Sequence, residues 1–226
     1  MTGRSTDDLV QQLVQNLPPV KPIARLRVAV SAVVALSIAA VVATGWMTGA
    51  WPRFGEAAFW SDPLSVAILF GLTVTAAGAV VAALASAVPG REPLARAGRV
   101  GAGAAVVYLL GCGLWAVAGG ESESAANLFA GSASCFTHAL VLAIPAALAA
   151  SFYLSRGAPQ HRLIASGVAA AGAAGLGAVA VHATCSMAGG FHLLLGHCLT
   201  PVIAGLLFAL PLAGLIRRWS RTAFGS

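Results

Sequence analysis

Residues 163–183 read LIASGVAAAGAAGLGAVAVHA, and from Leu163 to Ala183 there is no Asp, Glu, Lys or Arg. An uncharged apolar run of about 18 or more residues is long enough to cross a bilayer core of about 30 Å as a helix. Five other stretches share this property: Val28–Thr48, Leu64–Val88, Val100–Ala118, Phe136–Leu154 and Phe191–Ile216. Glycine and alanine dominate the spans, as in the run from Ala170 to Gly177, and small residues let helix backbones approach closely in lipid. The expected fold is an all-α membrane protein of six transmembrane helices with a short cytoplasmic N-terminal amphipathic helix.

Composition excludes the main alternatives. Of 226 residues, 58% are hydrophobic and 9% charged, against roughly 25% charged in soluble domains. A soluble fold could not cover its surface from so few polar groups. The net charge of +6 comes from single or paired basic residues beside apolar spans, which suits membrane topology better than nucleic acid, so no direct nucleic-acid binding is expected. Residues 1–22 lack the apolar core of a signal peptide, so the N-terminus is expected to be retained.

Orientation follows from the flanking charges. With a cytoplasmic N-terminus, Arg4, Lys21, Arg25, Arg27, Arg91, Arg96, Arg99, Arg156, Arg162, Arg217, Arg218 and Arg221 fall inside and only Arg53 outside. Six spans then return the C-terminus to the cytoplasm. The loop from Gly119 to Ser134, with Glu121 and Glu123, lies outside. The expected organisation is a cytoplasmic docking segment over 1–22, a six-helix membrane domain over 23–219 and a cytoplasmic tail over 220–226.

In the first segment Leu9, Val10, Leu13, Val14 and Leu17 recur at the spacing of one helical face. Ser5 or Thr6 can cap its start, Asp7 and Asp8 suit the positive end of the helix dipole, and Pro18-Pro19 stops it. The opposite face, Gln11, Gln12, Gln15 and Asn16, lacks the basic charge of a membrane-lying helix. A groove on a protein partner is the better home for the apolar stripe.

The residues that carry chemistry cluster at the outer ends of the later spans. Cys135-Phe-Thr-His138 opens the fourth span and His182-Ala-Thr-Cys185 closes the fifth. Residues three apart share a helix face, and antiparallel spans would set both cysteines at the boundary with both histidines about 5 Å deeper. Two thiolates and two imidazoles suit zinc or another soft or borderline divalent metal. A disulfide between Cys135 and Cys185 is the alternative, and inert packing of the cysteines is the bland reading. His192 and His197 open the sixth span, but five residues on a regular helix separate them by about 140°, so at most one is expected to join the cluster. Cys112 and Cys198, in apolar surroundings, read as packing, and Pro145, Pro201 and Pro211 are expected to kink their helices.

No phosphate-binding loop, dinucleotide fingerprint, zinc-protease motif or catalytic triad is present, and no enzyme activity is expected. No acid lies mid-span, which removes the usual proton relay of a transporter.

The N-terminal Thr6-Asp-Asp-Leu-Val with Leu17-Pro-Pro-Val, the six Ala/Gly-rich spans, Cys135 with His138, His182-x-x-Cys185 and His192-Leu-Leu-Leu-Gly-His197 together resemble NrsF-type anti-sigma factors. The resemblance implies a multi-pass protein of the bacterial inner membrane that sequesters an extracytoplasmic-function sigma factor through its N-terminal segment. It also implies that Cys135 and Cys185 are periplasmic sensing residues for metal or oxidative stress. One departure is visible: relatives often carry an adjacent His-Cys where this chain separates His182 and Cys185 by Ala183 and Thr184. The competing readings are a haem- or metal-binding membrane redox protein and a small metal transporter.

Overall fold

A computed structural model describes residues 6–15, 23–49, 51–119, 125–187 and 189–224. Most of the described residues are helical, with no strand among them. A short helix α1 (Thr6–Gln15) is followed by α2 (Leu26–Thr48), a 3₁₀ turn (Arg53–Gly55), α3 (Ala57–Ser61) and α4 (Pro63–Ala85). Then come α5 (Glu92–Gly119), α6 (Ala125–Arg156), α7 (Arg162–Thr184), α8 (Gly190–Leu193), a π-helical segment (Leu194–Cys198) and α9 (Thr200–Phe224).

Among the described residues, six helices are long and apolar enough to cross a membrane. They correspond one for one to the six uncharged stretches of the sequence. Two boundaries differ from expectation. Helix α6 begins at Ala125, so most of the stretch expected as the outer loop Gly119–Ser134 continues the helix. The last crossing is α8, the π segment and α9 in series rather than one regular helix.

Local chemistry explains the element ends. Asp62 caps α4 by accepting from the N–H groups of Leu64 and Ser65, at 3.1 and 3.2 Å, with Pro63 in the first turn. Gly49 ends α2 in the left-handed conformation at φ 74°, where a side chain would be strained. Pro201 stands in the first turn of α9, where a missing N–H costs nothing, so of the prolines expected to kink a helix only Pro145 and Pro211 are interior.

Helix α7 is the centre of the bundle, packed against α4, α6 and α9. A Cβ at Gly172 or Gly175 would press on Val80 or Ala76 of α4, and one at Gly177 would strike the backbone carbonyl of Ala139 on α6. The glycine face therefore lets three helices approach closely, as lipid-embedded bundles require where no hydrophobic force drives helices together. Two apolar clusters result. One holds Val33, Leu84, Leu154 and Ile216; the other, beneath the cysteines, holds Ile68, Leu72, Leu109, Val181 and Leu193. The outward faces carry exposed Ile38, Phe70, Val107, Leu206 and Leu210.

The basic ends gather at one end of the bundle. The turn before α5 touches the turn before α7, with Ala158 N–H donating to the Ala87 carbonyl at 3.4 Å, and the Tyr153 hydroxyl donates to the Ala24 carbonyl at 3.0 Å. The N-terminal stripe is partly described: α1 forms, and Val10 and Val14 are exposed. Leu17 and the side chains of Leu9 and Leu13 lie outside the described residues. Replacing Gly177 by Leu should force α6 and α7 apart and cost about 1–3 kcal/mol or more, read as a lowered melting temperature in detergent. Leu at Gly111, where a Cβ meets nothing within 4 Å, should leave it unchanged.

Candidate metal centre

The cysteines come together from two elements. Cys135 lies ten residues into α6, while Cys185 is the first residue beyond α7, in extended conformation at φ −76° and ψ 130°. Their sulfurs are 3.7 Å apart. Because Cys185 has left the helix, the shared-face spacing expected to bring His182 with it does not apply. The His182 imidazole instead donates from Nε2 to the Ser65 carbonyl at 3.0 Å, and its ring lies edge-on to His197 with centroids 5.1 Å apart. His138 is exposed and bonds through Nδ1 to the Ser134 carbonyl of its own helix at 2.8 Å. Neither His138 nor His182 joins the two cysteines.

The missing ligands are His192 and His197. A regular helix would hold them apart, but residues 194–198 are π-helical, with the Leu199 N–H bonded to the Leu194 carbonyl at 2.9 Å. The wider turn takes in one more residue, so a side chain five positions on comes back toward the face of the first. Both histidines are fully buried, and their Nε2 atoms are 3.2 Å apart. The expectation that at most one could join the cluster is overturned by this single distorted turn.

Cys135, Cys185, His192 and His197 each offer a ligand atom, all within 4.8 Å of one another, and could hold a metal ion. The edge lengths test the fit. Tetrahedral zinc with bonds of about 2.3 Å to sulfur and about 2.0–2.1 Å to nitrogen has S–S edges of about 3.8 Å and N–N edges of about 3.3–3.4 Å. Here the S–S separation is 3.7 Å and the N–N separation 3.2 Å, with Cys185 Sγ also 3.2 Å from His192 Nε2. The Nδ1 atoms of His192 and His197 are buried without a hydrogen-bond partner among the described residues. Each such atom costs about 1–3 kcal/mol, which a strong ligand at Nε2 can offset. The donor set suits a borderline-soft divalent ion, and three of its six separations are close to those of a tetrahedral site.

Electrostatics favour the thiolate at Cys185. The hydrogen bond from the Cys135 thiol holds Cys185 well below the ordinary thiol range, against the opposing effect of burial, and His192, His197 and the Met187 N–H add to it. A cleft of about 310 Å³, lined in part by Val41, Thr44, Leu142 and Met187, opens onto both sulfurs. It gives a small ion or oxidant a way in.

Sequence reasoning missed the cover over this cluster. Arg53, read there only as the lone basic residue on its side, donates from Nη1 to the Cys185 carbonyl at 3.3 Å and from Nε to Glu56 at 2.8 Å. Next to it in sequence, Phe54 and Trp60 each pack edge to face on Phe59, and buried Phe59 reaches the His182 ring with centroids 6.2 Å apart. The available signal was the density of aromatic residues between Trp51 and Trp60. Gly190 seats the histidine-bearing segment, because a Cβ there would strike the Ala116 carbonyl on α5.

Over residues 13–219 the chain matches the NrsF family, described as negative regulator of sigma F. It belongs to this family. No curated protein and no solved structure matches the chain. Membership in the NrsF family makes the protein a negative regulator of a sigma factor, with a sigma factor as its implied partner. NrsF is a family of regulators, not of enzymes.

The ligand set can be tested with Co(II), whose thiolate charge-transfer and tetrahedral absorption bands report donor type and geometry. Reduced protein in detergent should bind it tightly, His197→Ala should weaken binding by about tenfold or more, and His138→Ala should bind as wild type. Deleting Leu195 should return the turn to α register, swing His197 by about 100° and abolish the tetrahedral bands. Equal affinity in wild type and His197→Ala would remove His197 from the ligand set.

Proposed function

We propose that this protein is a multi-pass inner-membrane anti-sigma factor that holds an extracytoplasmic-function sigma factor on its cytoplasmic N-terminal helix. It releases that partner when the Cys135/Cys185/His192/His197 site, on the outer side, meets metal or oxidant. The observation that carries the reading is the convergence of two thiols and two imidazoles at the end of the bundle opposite its basic loops.

Several features support this placement. Exposed apolar side chains along the crossing helices suit lipid rather than water. Trp46 and Trp115 lie near the ends of α2 and α5, Trp51 and Trp60 in the segment that joins α2 to α4, and Trp219 near the opposite end in α9, as aromatic residues do at membrane interfaces. Twelve basic residues on one side against Arg53 on the other orient both termini to the cytoplasm.

The site can act on the bundle because its donors come from three segments: α6, the end of α7, and the α8–π stretch that leads into α9. A bound ion would supply a cross-link among them, held by Cys135, Cys185, His192 and His197. Oxidation acts differently. An oxidant that accepts two electrons, with loss of the thiol protons, would close the sulfurs from 3.7 Å to about 2.05 Å. Either event favours one packing of α6 against α7 and α9, and those helices continue to the end that carries the N-terminal segment. The inhibitor needs about 5.5 kcal/mol of differential affinity to pass from almost fully engaged to almost fully released. Metal–thiolate bonding or a disulfide reaches that scale, whereas one new hydrogen bond, at about 1 kcal/mol, does not.

Two experiments separate the halves of the proposal. Val10 and Val14 are exposed in this chain, so Val10→Asp with Val14→Asp should leave membrane insertion intact and release the sigma factor, because charge on the stripe must be desolvated on docking. Undiminished co-purification from membranes would end the docking reading. Cys135→Ser with Cys185→Ser should keep partner binding and make a sigma-dependent reporter insensitive to Cd(II) and peroxide. Normal induction in that variant would make the cysteines structural.

A further inference from the structure

Two hollows that contain none of the four candidate metal ligands share a wall. The first, of about 330 Å³, lies between the α4–α5 and α6–α7 turns, and its polar lining includes Arg96, Arg99, Gln160, His161 and Glu92. The second, of about 680 Å³, is an apolar groove between α5, α7 and α9, lined by residues such as Gly103, Val106, Gly167, Pro201 and Leu210. Arg99, Ile164 and Val168 line both. One continuous surface is therefore cationic at its mouth and apolar along its length. From Pro201 to Leu210 it follows about 13 Å of helix at 1.5 Å per residue.

Neither arginine has a carboxylate partner here, since the one ion pair among the described residues joins Arg53 to Glu56. Glu92 is engaged elsewhere, accepting from the Gly90 N–H at 3.1 Å. Guanidinium groups fit phosphate oxygens through paired hydrogen bonds, and basic pockets between crossing helices suit anionic headgroups.

We propose that this surface binds one anionic glycerophospholipid, its phosphate held by Arg96 and Arg99 and one acyl chain lying in the groove toward Pro201. The occupant is a lipid rather than an acidic protein because the charged mouth leads directly into an apolar groove, which a soluble partner would leave unfilled. A helix from a second copy would cover the groove but leave Arg99 without a counter-charge. The inference rests on the reading that these helices cross a bilayer. It adds a second ligand at the end of the bundle where the partner is held, contacting α5, α7 and α9.

Native mass spectrometry of the full-length protein in mild detergent tests it, with phosphatidylglycerol and phosphatidylcholine of matched chains as probes. Phosphatidylglycerol should be retained on the order of tenfold better, and Arg96→Gln with Arg99→Gln should erase that preference. A Cβ at Gly103 or Gly101 meets nothing within 4 Å, and only Gly103 lines the groove. Gly103→Leu should therefore lower retention of both lipids, and Gly101→Leu should not. Equal retention of the two lipids by the wild type, or a preference that survives the glutamine changes, overturns the proposal. So does free glycerol phosphate competing as well as the lipid, which would mark a simple anion site. Capture of purified sigma factor that is lost with the two glutamines would assign the arginines to the protein partner instead. Loss of lipid selectivity in a protein still found in the membrane fraction defeats only the lipid site, while failure to fractionate with membranes defeats the spanning reading itself.

Discussion

The close approach of α7 to its neighbours is the constraint on which the rest of the molecule depends, because in a bilayer no water-driven force presses helices together and contact must come from shape. Gly172 and Gly175 admit α4, and Gly177 admits α6 at the level of Ala139. Ala139 is one turn from Cys135, and Gly177 is two turns from the end of α7 that delivers Cys185. The separation of the two sulfurs is thus set by backbone contact between small residues and not by the cysteines. Any side chain added at Gly177 would change the separation before it changed the chemistry.

How much of this was legible in the sequence follows from what kind of information each feature needs. The six long apolar helices were readable because length and absence of charge are both local properties of the chain. Cys135 and Cys185 were readable as a pair because antiparallel neighbours place their boundary residues at matched depth. The histidines were not readable in the same way. Three-residue spacing favoured His138 and His182, but Cys185 has already left the helix, and His138 spends its Nδ1 on its own backbone. Five-residue spacing argued against pairing His192 with His197, and only the hydrogen bond from Leu199 to Leu194 reverses that. Hydrophobic period carries no record of a one-turn change in hydrogen-bond register. The role of Arg53 was hidden for a related reason, since its partner, the Cys185 carbonyl, is 132 residues away.

The π turn itself needs an explanation, since widening a helix weakens its packing and is tolerated mainly where function requires it. Here the cost is shared locally. Thr200 donates its hydroxyl to the Gly196 carbonyl at 2.8 Å, and Pro201 follows at a position where no N–H is wanted. Gly196 lets the segment lie against Ser132 and Cys135 of α6, with a Cβ there meeting atoms at 3.4 Å. The distortion, the small residue and the proline occur within eight residues of sequence and together aim two buried imidazoles at two thiols.

The position of the cluster at the rim of the bundle, and not at its middle, follows from charge. Two thiolates held in hydrocarbon would be prohibitive without a counter-charge. A divalent cation makes the set neutral, and a disulfide makes it neutral without any ion. Between those states the pair must share protons. The depressed Cys185 and its hydrogen bond from Cys135 describe that sharing. At the rim the cost of the intermediate, partly charged forms is low enough for the site to exchange ions and protons through the cleft beside Met187. Deeper in the bundle each neutral state would be a trap. The thiols stand instead where the chain emerges from α7, which leaves both states open to change.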